Sequence, residues 1–181
     1  MATLFDKTMS IEIERKFLLR NGAWRDVVEH SERIVQGYLV GAQALRDGTA
    51  RASVRARMVG EQGWLNIKAA TPGIARAEFE YPIPACDARA LLDTLCDGVM
   101  EKIRHHVHVD GMLFEIDEFL GDNAGLLVAE IELPAEDARY PRPPWLGREV
   151  SALGRYYNVH LIAHPYRHWS PAERAVEDAT C

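Results

Sequence analysis

The chain has 181 residues and a formal net charge of −6, with 48% apolar and 27% charged residues. That composition suits a single globular domain around one core. It argues against a nonspecific nucleic-acid coat, which needs a basic surface, and no apolar run approaches the roughly 20 residues of a membrane span. Met1 to Ser10 contains no apolar run followed by a small-residue cleavage site, so no secretory signal is expected and residues 1–9 read as an N-terminal extension. The three cysteines, Cys86, Cys96 and Cys181, are odd in number and show no CxxC spacing. They are expected to be reduced thiols in a cytoplasm.

In chain order, alternating apolar and polar residues predict a strand over Ser10–Arg20. A short helix follows over Ala23–His30. Four further strands are expected over Arg33–Gly41, Ala50–Val59, Trp64–Ala70 and Arg76–Ile83, punctuated by turn residues such as Arg46-Asp47-Gly48 and Thr71-Pro72-Gly73. Asp87–Leu95 carries an apolar stripe of Leu91, Leu92 and Leu95 behind a capping aspartate, the pattern of a helix. Lys102–Val109 and Met112–Phe119 flank Asp110-Gly111, a strong hairpin signal. Leu126–Leu133 is the eighth strand. Pro134–Arg139 reads as a helical turn, the proline-rich Tyr140–Pro144 blocks regular structure, and a last helix is expected over Leu153–Ala163. The fold class is therefore α+β, with eight strands in mostly hairpin order forming an antiparallel barrel. A barrel of that size has room for filling side chains or one small ligand.

Alternate residues of a strand share a face. Glu12, Glu14 and Lys16 lie together on the first strand, and Arg51, Ser53, Arg55 and Arg57 on the third. Asn66 with Lys68, and Arg76 with Glu78 and Glu80, share faces on the next two. Lys102 with Arg104, Glu115 with Asp117, and Glu130 with Glu132 follow on the last three. A period of two does not say which face is inside, and a solvated charged face over an apolar core is the usual arrangement. Two features point the other way. The charges are sorted by sign between strands, where surfaces without function usually intersperse them. The set also combines basic groups able to grip phosphoryl oxygens with carboxylates able to hold a hard divalent cation. His105, His106 and His108 are candidate metal ligands of lower priority, because hard metals favour carboxylates. His160, His164 and His168 share a face only if the last helix runs so far. The aromatics Trp145, Tyr156, Tyr157, Tyr166 and Trp169 are most simply packing.

The segment Ile11-Glu-Ile-Glu-Arg-Lys-Phe17 resembles the ExExK signature of the CYTH superfamily, the triphosphate tunnel metalloenzymes. The ordered series behind it carries the resemblance: Val54-Arg-Ala-Arg57, Leu65-Asn-Ile-Lys68, Arg76-Ala-Glu-Phe-Glu80, Lys102-Ile-Arg104, Phe114-Glu-Ile-Asp117 and Glu130-Ile-Glu132. Pro143–Val150 and Arg155-Tyr-Tyr-Asn158 are similar to the small bacterial members. The resemblance implies an eight-stranded tunnel with a charged interior, covered by helices and closed at one end by the C-terminal helix. It makes residues 10–169 one domain, leaving 170–181 as a flexible tail.

By position, the resemblance implies that Glu12, Glu14, Asp117, Glu130 and Glu132 hold Mg²⁺ or Mn²⁺. Lys16, Arg55, Arg57, Lys68, Arg76, Lys102, Arg104 and Arg155 would bind substrate, with Glu14, Lys16, Glu80 and Lys102 in the catalytic step. Glu78, Glu80 and Glu115 are left between a second metal, water positioning and pairing with bases. The leading activity it implies is metal-dependent hydrolysis of a small triphosphate, foremost inorganic tripolyphosphate, with a homodimer as the assembly it suggests. The alternatives are a class IV-type adenylate cyclase, a thiamine or nucleoside triphosphatase, and a polyphosphate-binding module without turnover. Bare anion binding would not need so many carboxylates.

Overall fold

The computed structural model describes residues 10–71 and 73–178. The expected N-terminal extension and Cys181 lie outside them. The first strand, β1, covers Ser10–Leu19; β2 (His30–Val40), β3 (Ala52–Val59), β4 (Gln62–Ala69) and β5 (Ala75–Ile83) follow. Three more long strands are β6 (Val99–Val109), β7 (Met112–Phe119) and β8 (Leu127–Glu132), with a short β9 over Leu146–Glu149. Every pairing is antiparallel, and the order β5-β4-β3-β2-β6-β7-β8-β1 closes through a β5–β1 pairing into an eight-stranded barrel. Asp110 and Gly111 both have positive φ, 50° and 80°, as the tight β6–β7 turn demands.

Closure falls on β1. Ser10–Ile13 pair with Ala75–Glu78 of β5, and Glu14–Phe17 pair with Ala129–Glu132 of β8. Beyond the start of β5, β1 gains β9 on the freed edge. The gap in that ladder is filled by a side chain: the Lys16 amide donates to Ser151 Oγ at 2.9 Å, while the Val150 amide donates to the Lys16 carbonyl at 2.8 Å.

The inside-or-outside question is answered by burial. Phe17, Phe114, Ile116 and Ile131 point outward and pack beneath Trp24, Trp145 and Leu146. The helix α2 (Ala85–Thr94) covers β3 and β4 by laying Ala88 and Leu92 on Ala56 and Met58. The opposite face, with Lys16, Lys102, Arg104, Asp117 and Glu130, is buried within the barrel. Further along the same inward face the residues turn apolar: Leu18, Met100, Phe119 and Val128. These join Val150, Tyr156, Leu161, Tyr166 and Trp169 of the C-terminal segment in one cluster, which stops that end of the tunnel. Buried Asn123 ties the plug down, accepting from the Tyr166 amide at 2.8 Å and donating to the Leu161 carbonyl at 3.4 Å.

Several boundaries differ from the sequence reading. The expected helix at 23–30 is a 3-10 turn, Ala23–Val27, because β2 begins at His30; β6 likewise begins at Val99. A five-residue helix, α1 (Ala42–Arg46), was not anticipated. Residues 134–139 hold a single turn, with the Ala138 amide donating to the Ala135 carbonyl at 3.1 Å. The closing helix, α3, spans only Asn158–Ala163, after a 3-10 turn at Gly154–Tyr156. The stretch expected as a flexible tail is helical over Pro171–Asp178, α4. Its start is a capping box in which the Ser170 amide donates to the Glu173 carboxylate at 2.8 Å and the Glu173 amide returns to Ser170 Oγ at 3.3 Å.

Candidate active site

The tunnel encloses a cavity of about 970 Å³. Its cationic wall comes from β3, β4, β5 and β6, which contribute Arg55, Arg57, Lys68, Arg76, Lys102 and Arg104; Lys16 of β1 faces them. Carboxylates of β1, β5, β7 and β8 complete the lining: Glu12, Glu14, Glu78, Glu80, Glu115, Glu130 and Glu132.

Most of these charges are paired. Arg104 sits at a hub: its Nε donates to Asp117 Oδ1 at 2.7 Å, its Nη2 reaches Glu130 Oε2 at 2.6 Å, and its Nη1 bonds Glu115. Lys102 also bonds Asp117, which is wholly buried. Lys16 bonds Glu130 and lies 2.7 Å from Glu14. Lys68 takes Glu12 at 2.7 Å and Glu78 at 3.5 Å, while Arg76 stands 3.6 Å from Glu14 and 3.9 Å from Glu12. Arg57 donates to Glu80 at 2.8 Å. Arg55 is the exception. It is only 7% exposed, and its guanidinium has no ion pair or hydrogen bond to any other described residue.

Proton affinities follow from these surroundings. Burial, with Glu130 close by, raises Glu14 above the usual carboxylate range, despite Lys16. Burial alone would raise Glu130 too, but Lys16, Arg104 and Lys102 outweigh it and hold that group well below its ordinary value. Burial pushes up Glu132, and every neighbouring charge that acts on it strongly is another carboxylate: Glu12, Glu78, Glu115 and Glu14. Lys102 is lowered to about 8 by burial and the adjacent Arg104, despite Asp117. Burial works against the charge of Lys16, but Glu130 and Glu14 win and its pKa is raised. The cavity therefore has an end where carboxylates crowd one another and a wall where a guanidinium finds no partner among the described residues. The first favours a bound cation and the second a bound anion.

The oxygen-rich acidic end suits a hard divalent cation. Among the described residues no three His, Cys, Asp or Glu side chains already converge on one metal position. Binding would therefore draw carboxylates such as Glu12 and Glu14 out of their present ion pairs with Lys68 and Lys16.

Comparison with known proteins agrees with this geometry. The family model of the CYTH domain matches residues 10–161. The chain belongs to the CYTH domain family. It is 39% identical over 162 residues to an inorganic triphosphatase of Acetivibrio thermocellus, covering 89% of this chain and 99% of the relative. It is 33% identical over 153 residues to an inorganic triphosphatase of Nitrosomonas europaea, covering 83% and 95%. The crystal structure of an inorganic triphosphatase superposes with a TM-score of 0.61 at 32% identity, over 85% of this chain and 95% of that one. A Hippeastrum protein reported to have a dominant triphosphatase activity matches with a TM-score of 0.53 over 68% of this chain and 80% of its own; at 16% identity the likeness is one of fold.

Within this CYTH barrel, the structure brings nearly all the residues expected from sequence to one cavity: Glu12, Glu14, Lys16, Arg55, Arg57, Lys68, Arg76, Glu80, Lys102, Arg104, Glu130 and Glu132. Two are placed elsewhere. Asp117 does not line the cavity: it is on the inward face of β7 but fully buried, covered by its bonds to Lys102 and Arg104. Arg155 does not line the cavity; its guanidinium stacks 5.2 Å from the Tyr156 ring and 5.4 Å from that of Trp169, on the plug. Its neighbours Tyr157 and Asn158 line the cavity instead. The Tyr157 ring lies 4.9 Å from the Arg76 guanidinium and 5.4 Å from Lys16 Nζ, with its hydroxyl donating to the Ser151 carbonyl at 2.7 Å. Of the aromatic-plus-basic run at 155–158, it is the tyrosine and the asparagine that reach the cavity surface. The histidines pair with acids at the barrel rim, His106 with Glu32 at 3.2 Å and His108 with Glu29 at 3.0 Å. Because α3 stops at Ala163, His160, His164 and His168 do not share one helix.

Proposed function

We propose that this protein is a metal-dependent triphosphatase that hydrolyses inorganic tripolyphosphate to diphosphate and phosphate. The observation that carries the reading is Arg55, a guanidinium buried in the tunnel wall without an acidic partner among the described residues. A buried unpaired charge is costly, and the natural complement of a planar guanidinium beside six more cations is a phosphoryl chain. The two relatives of known activity, at 39% and 33% identity, support the same substrate.

The residues can do most of the work of phosphoryl transfer by position and charge. Arg55, Arg57, Lys68 and Arg76 orient the chain along β3–β5, and Lys102 and Arg104 meet charge that builds on the phosphoryl oxygens. Because their positions are fixed by the barrel, that stabilisation needs little reorganisation. A divalent cation held by Glu12, Glu14, Glu130 and Glu132 would neutralise phosphate charge and acidify a water nucleophile. Tyr157 closes the cavity at the plug side over Lys16 and Arg76.

Among the described residues Cys86 and Cys96 are free thiols, which supports a reducing, cytoplasmic setting. No described helix is long and apolar enough to cross a membrane. The test is phosphate release from tripolyphosphate and from ATP, with Mg²⁺ or Mn²⁺, beside an assay for cyclic AMP. The expected result is metal-dependent release that is faster with tripolyphosphate than with ATP, and no cyclic AMP. Cyclic AMP with pyrophosphate from ATP would replace the reading with a cyclase, and binding without turnover would leave a polyphosphate-binding module.

A further inference from the structure

Two amide side chains in the tunnel wall are buried and incompletely bonded. Gln36 of β2 is fully buried, and neither its amide oxygen nor its amide nitrogen has a partner among the described residues. Asn66 of β4 is 1% exposed; its nitrogen donates to Glu78 and Glu80, but its oxygen is unpaired. Both residues face inward, in register with the two arginines of β3. Gln36 stands directly opposite Arg57, and Asn66 directly opposite Arg55. Opposite residues on one face of an antiparallel pair have Cβ atoms about 5 Å apart. Each arginine also has a buried Nε–H without an acceptor among the described residues. Two orphan acceptors thus stand across from two orphan donors, on adjacent strands of one wall.

Leaving a buried donor and a buried acceptor unmade in the same place is unfavourable on both counts. At Gln36 the free protein accepts it because the guanidinium of Arg57 is engaged elsewhere, with its Nη2 drawn to Glu80. An anion in the cavity competes with Glu80 for those terminal nitrogens. Once they turn to a phosphoryl group, Nε is free to turn to the wall. We propose that Gln36 and Asn66 are positioning residues: their amide oxygens accept from Nε–H of Arg57 and Arg55 when the arginines close on a phosphoryl chain. Asn66 serves twice, since its nitrogen keeps hold of Glu80 after Arg57 leaves it. Each arginine is then fixed at the root of its guanidinium, with both terminal nitrogens left to the substrate. A lysine at either place would have no Nε–H to be held. The inference rests on the reading of the cavity as an anion site.

The test pairs affinity with stability in Gln36→Met, which keeps length and apolar volume but removes the acceptor. Calorimetric binding of tripolyphosphate in the presence of Mg²⁺, KM and kcat for its hydrolysis, and the melting temperature without ligand are measured for wild type and variant. The free variant should melt at the wild-type temperature or higher, because no bond is lost in the ligand-free state. Its affinity for tripolyphosphate should fall on the order of tenfold, the worth of a hydrogen bond to a charged group, with KM rising more than kcat falls. Gln36→Glu, which keeps an acceptor, should recover part of that loss. In an Arg57→Lys background the Gln36→Met change should have no further effect on affinity. Unchanged affinity in Gln36→Met, or an equal further loss in the Arg57→Lys background, would overturn the bracing role while leaving the anion site standing. A wild-type protein that neither binds nor hydrolyses tripolyphosphate would overturn both.

Discussion

Glu130 and Glu132 lie two residues apart on β8 and face the same cavity, yet their surroundings give them opposite character. Glu130 is bonded by Lys16 and Arg104 and is nearly inaccessible; Glu132 is exposed enough to meet solvent and has carboxylates for neighbours. Glu132→Gln should therefore leave stability within about 0.5 kcal/mol of wild type while removing metal-dependent phosphate release. Glu130→Gln strips a buried network of its acceptor charge and should cost about 3 kcal/mol or more, read by urea denaturation. The pH dependence has a definite sign. Glu130 is depressed in the folded state, so its stabilisation is present above its ordinary pKa and is lost as pH falls below it. Glu130→Gln should flatten that acid limb. Lys102 behaves differently. Lowered to about 8, it surrenders its positive charge as pH rises through that value, while Lys16 and Arg104, both raised, keep theirs. KM for tripolyphosphate should climb above pH 8 in the wild type and stay flat in Lys102→Arg, whose guanidinium does not titrate there.

At the scale of elements, α2 shows how closely this barrel is wrapped. Gly63 of β4 lies under Ala88, and a Cβ built there would sit 2.7 Å from the Ala88 Cβ and 2.9 Å from the Ile83 carbonyl oxygen. Neither neighbour is the loose end of a flexible chain, so Gly63→Ala must lift the helix from the sheet. A loss of about 1–3 kcal/mol is expected in thermal or urea unfolding. The long strands were legible because their period of two persists for six residues or more. The shorter pieces were not. Leu146–Glu149 pairs with β1 over two register positions only, at the end of a proline-rich run where local pattern carries no strand signal. The Ser170-Pro171-Ala172-Glu173 box was a readable helix start, hidden by the polar composition of the stretch behind it. The 3-10 turn at Ala23–Val27 is set by Trp24, which is drawn wholly into the outer core; the pull is tertiary and leaves no periodic trace.

For the whole molecule, which face is inside is the one property that alternation alone cannot supply. A barrel is the sheet that lets the rarer choice stand. Its apolar outer face finds Trp24, Trp145 and α2 for cover, and its inner charges find one another, as Arg104 does with three carboxylates at once. Sign-sorting between strands was the readable trace of that arrangement, since opposite signs must meet across an interior. The positions of Asp117 and Arg155 were beyond its reach. Both share a strand face or a motif with lining residues, and only depth along the tunnel separates Asp117, covered by Lys102 and Arg104, from Glu115, on the cavity surface.

The seam at β1 also sets an order of events during synthesis. The first strand made is the last to be enclosed: it must wait for β5, some 60 residues later, and then for β8 and β9, more than a hundred residues later. At ribosomal rates of about 5–20 residues per second, its unpaired edge stands open for several seconds in a crowded cell. An exposed edge is a template for aggregation unless charge guards it. The alternating Glu12, Glu14 and Lys16 put charge along that strand, the kind of feature that discourages an open edge from sticking to its neighbours until the tunnel closes.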